Sequence, residues 1–481
     1  MKVIPSYEEQ ISLQVEQRRL AVELIKLVSD LWYENNIELY LFRNQLLDRN
    51  VGEILNLLEY AKEFVQKPIS FKHVVEIARK IDAMNLPPAK IDLGKLTYVY
   101  ELTEEANLNE FVENKLKGAD HSNGFSPKDV VLYGFGRIGR LLARELMSKT
   151  GKGIQMRLRA IVTRGEISQA VLEKRASLLR KDSVHGYFKG SVKVDMKHQA
   201  LIINGTSVYM ISADAPEEPD YTAYGIENAL VIDNTGAFRS EEALGRHLSA
   251  KGVDKVLLTA PGTGTVPNIV YGVNQKNHDP DLQSIYSAAS CTTNAITPVL
   301  KVINDAIGIR HGHIETIHAY TNDQNLVDNM HKKYRRGRAA AVNMVITETG
   351  AGKAVGKALP ELQGKLTSNA IRVPVPNGSL AILNLNLHAK TSKEDLNAIM
   401  KKYALEGDLV EQIRYSISSE LVSSDIVGTA EPAIFDSEAT IVSDDGLNAL
   451  VYVWYDNEYG YSHQVMRLAK YISKVRRFSY Y

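Results

Sequence analysis

The chain has 481 residues, 44% of them hydrophobic and 24% charged, a mixture typical of globular proteins of about three domains and not of collagen-like or disordered chains. Lys+Arg and Asp+Glu both number 57, so the formal net charge is zero and nothing favours nucleic acid or a membrane as a partner. The N-terminal residues are polar where a signal peptide is apolar, and the single cysteine, Cys291, excludes an intramolecular disulfide and a thiolate metal cluster. We therefore predict a reduced, soluble, cytoplasmic protein without a bound metal.

Residues 1–120 show the residue spacing of helices. Apolar residues recur every three or four positions in three groups: Leu20, Leu24, Leu27, Val28 and Leu31; Ile54, Leu57, Leu58, Ala61 and Phe64; and Phe71, Val74, Val75, Ile77 and Ala78. Ser70 precedes the third group as a predicted N-cap. Loop-forming residues gather in Gly118–Pro127, where we place a linker at 121–127. We predict an all-α N-terminal extension that has no chemistry of its own, packs against its own or a neighbouring subunit, and modifies assembly or partner binding. The alternative is a passive extension that only adds buried surface.

After the linker the pattern changes to short strands that alternate with helices. Strands are predicted at 129–133, 157–163, 229–232 and 255–258, with a helix at 137–148. This alternation predicts a parallel sheet with right-handed crossovers. Longer strands of alternating polarity follow residue 313, for example at 382–388 and 449–454. They predict an antiparallel or mixed sheet in a further domain.

The segment Tyr133–Arg140 contains Gly-x-Gly-x-x-Gly between the first of these strands and the helix that follows. In such a loop Gly134 would allow a tight turn, Gly136 the close approach of a pyrophosphate, and Gly139 the packing of helix on strand. The helix N-terminus would supply N–H groups and a positive potential. The pattern favours a dinucleotide site over a glycine-rich turn without a ligand, because it lies between a strand and a helix.

The end of the second strand bears on which dinucleotide would bind. A carboxylate roughly 20 residues past the glycines usually binds the ribose 2′-hydroxyl of NAD. Thr163 stands at that point here and Arg164 follows it, so no carboxylate would repel a 2′-phosphate and a guanidinium is near to bind one. We therefore predict that NADP is used; the alternative is an Arg164 that is simply solvated at the surface.

Cys291 lies among small polar residues, at 287–294, that lead into an apolar helix. A helix N-terminus lowers the pKa of a thiol because its dipole favours the thiolate. His318 follows at a short distance in sequence, and pairing with a histidine is the usual way to activate a cysteine. We predict that the two residues form a catalytic pair; an inert buried cysteine is the alternative.

Three segments around this pair carry groups suited to phosphate. Tyr334–Arg338 holds three arginines, Thr347–Gly352 is a hydroxyl and glycine loop before a helix, and Ala370–Asn377 holds one arginine beside prolines. Arginine side chains and helix N-termini commonly bind phosphate. Each segment taken singly is more typical of a solvated face or a turn, so the prediction of a phosphate site depends on their occurring together.

From residue 128 to residue 475 the chain resembles phosphorylating glyceraldehyde-3-phosphate dehydrogenases. The resemblance rests on seven motifs in the family's order: Gly-Phe-Gly-Arg-Ile-Gly-Arg (134–140), Asp-Ser-Val-His-Gly (182–186), Ala-Ser-Cys-Thr-Thr-Asn (289–294), His-Ala-Tyr-Thr-Asn-Asp-Gln (318–324), Arg-Gly-Arg-Ala-Ala-Ala (336–341), Thr-Gly-Ala (349–351) and Trp-Tyr-Asp-Asn-Glu-Tyr-Gly-Tyr (454–461). The fold class it implies is α/β, with a Rossmann domain at 128–290 that 457–481 completes. An α+β catalytic domain with a mixed sheet would occupy 291–456, and the assembly would be a homotetramer.

The resemblance also implies a role for each matching residue. Cys291 would attack the aldehyde while its backbone N–H helps to hold the oxyanion, and His318 would act as the base. Thr321 and Arg372 would hold the phosphate of the substrate. The residues around inorganic phosphate would be Ser290, Thr292, Arg336, Thr349 and Gly350. The cofactor-binding residues would be Gly134, Phe135, Gly136, Arg137, Ile138, Gly139, Thr163, Arg164, Thr235, Gly236, Thr259, Asn457 and Tyr461, with Asn457 near the nicotinamide amide.

The implied activity is the reversible oxidative phosphorylation of glyceraldehyde 3-phosphate to 1,3-bisphosphoglycerate, with NAD or NADP as cofactor, in glycolysis or gluconeogenesis. The alternatives are an erythrose-4-phosphate dehydrogenase, which hydrolyses the thioester, and a regulatory or scaffold protein built on a dehydrogenase fold. The chain departs from the family's pattern at Tyr133, where asparagine is usual, and at Thr163–Arg164. Residues 1–120 have no counterpart in the ordinary enzyme.

Overall fold

The structure, a computed structural model, describes residues 6–63, 65–103, 107–119 and 126–481. The chain divides into two compact units. The first unit comprises Met1–Phe125 together with Arg476–Tyr481, and the second unit comprises Ser126–Val475. Phe64, of the second apolar group, and residues 121–125 of the predicted linker lie outside the described residues.

The first unit contains helices at the three groups of apolar residues, and two further helices follow them. The helices are α1 (Tyr7–Asp30), α2 (Val51–Glu63), α3 (Phe71–Met84), α4 (Leu93–Thr103) and α5 (Leu108–Leu116). Ser70 caps α3 as predicted, because its Oγ accepts a hydrogen bond from the N–H of His73 at 3.5 Å. Three short strands lie between the helices: β1 (Glu38–Leu41), β2 (Asn44–Gln45) and β3 (Ala89–Asp92).

The second unit begins with a mainly parallel sheet that confirms the predicted Rossmann fold. Its elements are β4 (Lys128–Tyr133), α6 (Arg137–Ser148), β5 (Met156–Thr163), α7 (Gln169–Arg180), β6 (Lys181–Asp182), β7 (Gly186–Tyr187), β8 (Val192–Asp195), β9 (Ala200–Ile203), β10 (Thr206–Ser212), β11 (Ala229–Asp233), α8 (Glu241–Leu248), β12 (Val253–Leu258) and β13 (Ile285–Ser287). The strand order is β13-β12-β11-β4-β5-β10-β9-β8, while β6 and β7 pair with each other. Because β4 lies in parallel between β5 and β11, the strand order reverses there, which is where such sheets bind ligands.

A mixed sheet follows, as predicted. Its elements are α9 (Cys291–Ala306), β14 (Ile309–Ala319), β15 (Val345–Thr347), α10 (Ala351–Ala358), β16 (Leu366–Val373), β17 (Ser379–Leu387), α11 (Lys393–Leu405), β18 (Ile413–Ser416), β19 (Ala433–Asp436), β20 (Ile441–Val442), β21 (Asn448–Tyr455) and α12 (Tyr459–Ile472). The order is β15-β16-β14-β17-β21-β19-β18, with β20 also pairing with β21. The buried residues Ile296 of α9, Leu396 of α11, Leu383 of β17 and Val451 of β21 belong to one core that holds helices against the sheet.

The last strand, β22 (Phe478–Tyr480), belongs to the first unit. It pairs in parallel with β3 and completes a four-stranded sheet in the order β2-β1-β3-β22. The prediction of an all-α extension is therefore corrected, and so is the boundary that assigned all of 457–481 to the Rossmann domain. Both errors have one physical cause: these strands have two to four residues, too few to show a period of two, and one of them comes from the far end of the chain.

Arg477 anchors this last strand in the core of the first unit. Its buried guanidinium forms an ion pair with buried Glu38 and donates to the carbonyl O of Asn36 at 2.9 Å. Its Cζ also lies 5.3 Å from the ring centroid of Trp32, within cation–π range. The two ends of the chain therefore share one buried, charge-paired contact.

Candidate active site

The glycine loop after β4 has the shape that a bound pyrophosphate requires. Gly134 has a φ of +95°, which glycine adopts without strain. A Cβ at Gly139 would lie 2.4 Å from the carbonyl O of Gly134, so α6 packs here only because that side chain is absent. At Gly136, the N-cap of α6, a Cβ would meet no described atom within 4 Å. The turn and packing roles are thus confirmed, and the open space lies at the helix N-terminus, where anions bind.

Arg137 begins α6, but its side chain is already engaged by carboxylates. Its guanidinium donates to Asp182 at 3.0 and 3.1 Å and forms a second ion pair with Glu458. His185 Nε2 lies 2.9 Å from the same Glu458 carboxylate. Although burial opposes it, the backbone N–H groups of His185 and Val184 and the Arg137 guanidinium hold the pKa of Asp182 below its usual range. The backbone of Arg137, and not its side chain, is therefore what the site offers to a cofactor.

The carboxyl end of β5 carries the two residues, Thr163 and Arg164, from which NADP use is predicted. Thr163 is buried at the last position of β5, and its Oγ1 has no hydrogen-bond partner among the described residues. Arg164 is exposed. Ser212 ends the neighbouring strand β10 opposite Thr163 and donates to the carbonyl O of Gly165 at 2.7 Å. Sequence reasoning did not identify Ser212, because only the parallel pairing of β10 with β5 brings it here.

The carboxyl ends of β11 and β12 supply the other side of the predicted cofactor cleft. The carboxylate of Asp233 accepts hydrogen bonds from the N–H of Thr235 at 2.7 Å and from its Oγ1 at 2.6 Å. Thr259 Oγ1 donates to the carbonyl O of Asp233 at 3.1 Å. Asn234 N–H donates to the carbonyl O of Tyr133 at 2.8 Å, so the turn at Thr235–Gly236 lies directly beside the glycine loop. Phe135 and Ile138 belong to that loop and to the first turn of α6, the former buried and the latter half-buried.

Cys291 and His318 meet although they belong to different elements. Cys291 is the first residue of α9 and His318 the penultimate residue of β14. The Sγ of Cys291 lies 3.6 Å from Nε2 of His318, which is hydrogen-bond distance for sulfur. The predicted contact between the two side chains is therefore present.

Arg372 lies on the other side of the His318 ring, where the family resemblance does not place it. It is paired with His318 across the parallel strands β14 and β16. One guanidinium nitrogen of Arg372 is 2.6 Å from His318 Nδ1 and 2.8 Å from the carbonyl O of Ala319. Nδ1 itself is 2.7 Å from that carbonyl. A neutral ring can either accept from Arg372 or donate to Ala319 through Nδ1, and only the first choice leaves the proton on Nε2, facing the thiol.

Burial dominates the electrostatics of this pair. Burial, and then the positive charge of Arg372, lowers the pKa of His318 to about 3, so its imidazole is neutral near pH 7. Burial raises the pKa of the Cys291 thiol, while the Arg372 charge and hydrogen bonds with Thr292 oppose that rise. The prediction that the helix N-terminus leaves this thiol with a lowered pKa is therefore wrong for the free protein. The reason is that desolvation of the thiolate outweighs the Arg372 charge and the hydrogen bonds that favour it.

Hydrogen bonds from three neighbouring residues fix the loop that leads to Cys291. Ala289 has a φ of +55°, and its carbonyl O accepts from the hydroxyl of Tyr461 at 2.8 Å. Ser290 Oγ caps α9 by accepting from Thr293 N–H at 3.0 Å. The hydroxyl of Thr292 is 3.0 Å from that of Tyr455, inside the fold. Ser290 and Thr292 thus use their hydroxyls within the protein, which leaves their backbone N–H groups as the donors that the predicted anion site could use.

The remaining predicted phosphate residues lie in one loop region and at the start of α10. Arg336 is buried, forms an ion pair with Asp323 and donates from Nε to Thr347 Oγ1 at 3.0 Å. Thr349 Oγ1 accepts from Ala351 N–H at 3.3 Å, beside Gly350 at the N-cap of α10. Thr321 is exposed. Sequence reasoning missed Asp323, which neutralises Arg336 in the free protein and competes there with any anion.

Asn457 is the predicted nicotinamide contact, and Ser379 orients its amide. Ser379 Oγ donates to Asn457 Oδ1 at 2.8 Å and accepts from Ala319 N–H at 3.1 Å. This hydrogen bond fixes which end of the Asn457 side chain is oxygen and which is the NH2 donor. Ser379 therefore connects the predicted cofactor contact with the residue next to His318. It begins β17 and carries no motif that could have revealed it.

Metal-ligand clusters and membrane-spanning helices are both absent from the described part of the chain. No cluster of three or more His, Cys, Asp or Glu side chains there could hold a metal ion. None of the described helices combines the length and apolar character needed to cross a membrane.

Family models match both halves of the second unit. The model described as glyceraldehyde 3-phosphate dehydrogenase, NAD binding domain, matches residues 128–241. The model described as glyceraldehyde 3-phosphate dehydrogenase, C-terminal domain, matches residues 290–457. The second match includes Cys291, His318 and Asn457.

Named relatives cover the chain to different extents. A glyceraldehyde-3-phosphate dehydrogenase-like protein of Pseudomonas aeruginosa (strain UCBPP-PA14) is 48% identical over 453 residues, 92% of this chain and 97% of the relative. Glyceraldehyde-3-phosphate dehydrogenase 1 of Bacillus subtilis (strain 168) is 40% identical over 345 residues, 72% of this chain and 98% of the relative. Glyceraldehyde-3-phosphate dehydrogenase of Geobacillus stearothermophilus is 39% identical over 344 residues, 72% of this chain and 98% of the relative. The Pseudomonas match is longer than Ser126–Val475 and so includes much of the first unit.

Proposed function

The chain belongs to the glyceraldehyde-3-phosphate dehydrogenase family, and on that premise we propose that it converts glyceraldehyde 3-phosphate and inorganic phosphate reversibly into 1,3-bisphosphoglycerate. The observation that carries the proposal is the 3.6 Å contact between Cys291 Sγ and His318 Nε2. Around it lie basic residues and helix N-termini of the kind that bind phosphate. A scaffold protein without activity would have no need of this contact.

The geometry supports covalent catalysis by Cys291. Its Sγ would bond to the aldehyde carbon while His318 Nε2 takes the thiol proton. This step requires the tautomer in which Nδ1 carries the ring proton and donates to the carbonyl O of Ala319, because only then is Nε2 free to accept. The backbone N–H of Cys291 points from the first turn of α9 and would donate to the oxyanion. Loss of hydride from the carbon leaves a thioester on Sγ, which inorganic phosphate then cleaves to release the acyl phosphate and the thiolate.

The open space at Gly136 and the turns at Gly134 and Gly236 fit a nicotinamide dinucleotide, which when bound would accept the hydride. We propose that NADP is used at least as well as NAD. The support is local: Thr163 replaces the usual acid, and exposed Arg164 follows it. A guanidinium hydrogen bond to a 2′-phosphate contributes about 1.5–3 kcal/mol. Asn457, oriented by Ser379, would bind the nicotinamide amide.

A homotetramer is the assembly that we propose, with an apolar segment of the second unit as one subunit contact. Residues 326–346 expose large apolar side chains to solvent in the single chain: Leu326 by 81%, Val327 by 68%, Met330 by 87%, Val342 by 76% and Met344 by 77%. Exposed apolar groups that gather in this way are typical of protein contacts. A second copy of the chain is the partner that the family favours. The cytoplasmic location stays a prediction from the sequence.

Steady-state assays test the proposed reaction directly. The full-length protein is given glyceraldehyde 3-phosphate or erythrose 4-phosphate, with and without inorganic phosphate, and with NAD or NADP. We expect the fastest turnover with glyceraldehyde 3-phosphate and a strict need for phosphate. Turnover that is faster with erythrose 4-phosphate and independent of phosphate would contradict the proposal. No turnover with either sugar would favour a regulatory protein.

A further inference from the structure

The first half of α1 has no cover from the described residues of the chain. Residues 6–19 are all exposed, whereas Ala21, Leu24 and Leu27 further along are buried. The helix starts with a capping box in which Ser6 and Glu9 bond each other's backbone N–H groups. An uncovered helix of this length is only marginally stable in water, so contact with a second surface would stabilise it.

The exposed face of α1 carries a seam with heptad spacing. Val15 and Val22 take position a and Ile11 position d, and these side chains are 43%, 59% and 40% exposed. Glu8 at a and Arg18 at d complete what we call the α1 seam. The buried residues of α1 take positions c, f and g, mostly on the other side of the helix, so the seam is open without any change in the packing of the first unit.

We propose that the α1 seam binds the same seam of a second copy of this chain. The two helices run antiparallel, and their two-fold axis crosses the seam midway between Ile11 and Val15, at the level of Leu13. Antiparallel pairing then places each a position opposite a d position. Ile11 lies opposite the partner's Val15, and Glu8 lies opposite the partner's Arg18. Because a two-fold contact repeats every pair, one interface has two apolar layers between two ion pairs of opposite charges.

The charges of the seam select this arrangement over its competitors. A parallel, in-register pair would place Glu8 against the partner's Glu8 and Arg18 against the partner's Arg18, and like charges repel. An antiparallel pair shifted by one heptad would place Glu8 opposite an isoleucine. Of the antiparallel registers that keep a opposite d, the one centred on Leu13 pairs Ile11 with Val15 and Glu8 with Arg18, and Val22 lies beyond the paired length. The contact lies in the first unit and is independent of the proposed reaction.

Cysteine cross-linking of the full-length chain tests the register. In a Cys291→Ser background, Ile11→Cys with Val15→Cys would place thiols of two copies opposite each other. The matched control is Leu13→Cys with Gln17→Cys, which has the same spacing on the opposite, exposed face of α1. We expect mild oxidation to give a covalent dimer on a non-reducing gel for the first pair and at least fivefold less for the control. Circular dichroism of both variants verifies that they are folded.

Charge exchange provides the second arm of the test. Glu8→Arg, added to the 11/15 pair, should lower the yield of covalent dimer several-fold because two arginines then face each other. Adding Arg18→Glu as well should restore the yield. No covalent dimer from the 11/15 pair, equal yields from the control pair, or no recovery on charge exchange would overturn the proposal. The first of these results would indicate that a different protein covers the seam.

Discussion

Arg372 and His318 lie opposite each other on neighbouring parallel strands, and a guanidinium N–H of Arg372 is 2.6 Å from Nδ1 of His318. The arginine that resembles a substrate-phosphate ligand is therefore bound, in the free protein, to the proposed base. A positive charge there favours the thiolate of Cys291 and keeps the imidazole neutral. The electrostatics of the site consequently depend on Arg372 before any substrate arrives.

Replacing Arg372 should move the ionisation of Cys291 to higher pH. In Arg372→Leu the charge that opposes the effect of burial on the thiol is lost, so the thiol pKa should rise by about 1–3 pH units, the usual effect of one nearby charge. The measurement is the pH dependence of the rate of alkylation by iodoacetamide. Arg372→Lys keeps the charge and should shift the midpoint less. A midpoint that does not change in Arg372→Leu would show that burial alone controls the thiol.

Replacing either member of the proposed catalytic pair, Cys291 and His318, should stop or slow turnover. Cys291→Ser should abolish it, because a hydroxyl ionises far above neutrality and a helix terminus contributes only about 1 kcal/mol toward its anion. His318→Asn should slow acylation by roughly 10² to 10⁴, the usual effect of losing an acid–base group. Stopped-flow measurement of the first turnover separates the two effects. Near-normal turnover of Cys291→Ser would remove this residue from its proposed role.

Removing the hydroxyl of Ser379 should weaken cofactor binding more than aldehyde binding. In Ser379→Ala the amide of Asn457 loses the donor to its Oδ1, and one hydrogen bond contributes about 1 kcal/mol, or roughly fivefold in affinity. We expect the KM for the nicotinamide cofactor to rise while the KM for the aldehyde stays near its original value. Ser379→Thr keeps a hydroxyl and serves as the control. A uniform loss of kcat with both KM values unchanged would argue against an orienting role.

An acid at the end of β5 should change the choice of cofactor. Thr163→Asp would place a carboxylate beside the predicted position of the adenosine ribose, where it can bind a 2′-hydroxyl and repel a 2′-phosphate. We expect its ratio of NADP to NAD affinity to fall at least tenfold, as measured by fluorescence titration of both cofactors. Thr163→Asn has a similar shape without charge and is the control. Wild-type protein that already binds NAD far more tightly than NADP would refute the role of Arg164.

Breaking the ion pair at the C-terminal strand should destabilise the first unit. In Arg477→Ala the buried carboxylate of Glu38 loses its ion-pair partner, which should lower the free energy of unfolding by about 4 kcal/mol. Trp32 reports this directly by fluorescence during urea unfolding once the other tryptophan is removed by Trp454→Phe. Exposed Arg476→Ala is the matched control. An unchanged unfolding midpoint would mean that β22 contributes little to the first unit.

Local patterns in the sequence were sufficient to predict the Rossmann sheet, the mixed sheet, the cap at Ser70 and the glycine turn. Helical spacing, strand alternation and the φ preference of glycine all operate within a few residues, so they can be read without knowing the fold. The pairing of Cys291 with His318 came from the chemistry of their residue types and from the family resemblance.

Tertiary structure decided what those patterns could not. Pairing of β14 with β16 brings Arg372 to His318, and pairing of β22 with β3 carries the end of the chain into the first unit. Asp323 pairs with Arg336, and no pattern in the sequence of this loop predicts that ion pair. Burial raises the pKa of Cys291, where the sequence predicted a lowered one. The sequence alone determined which residue types were available to the site. Contacts between distant segments and the removal of water from side chains exist only once the chain has folded. Those two effects set the charges of the site.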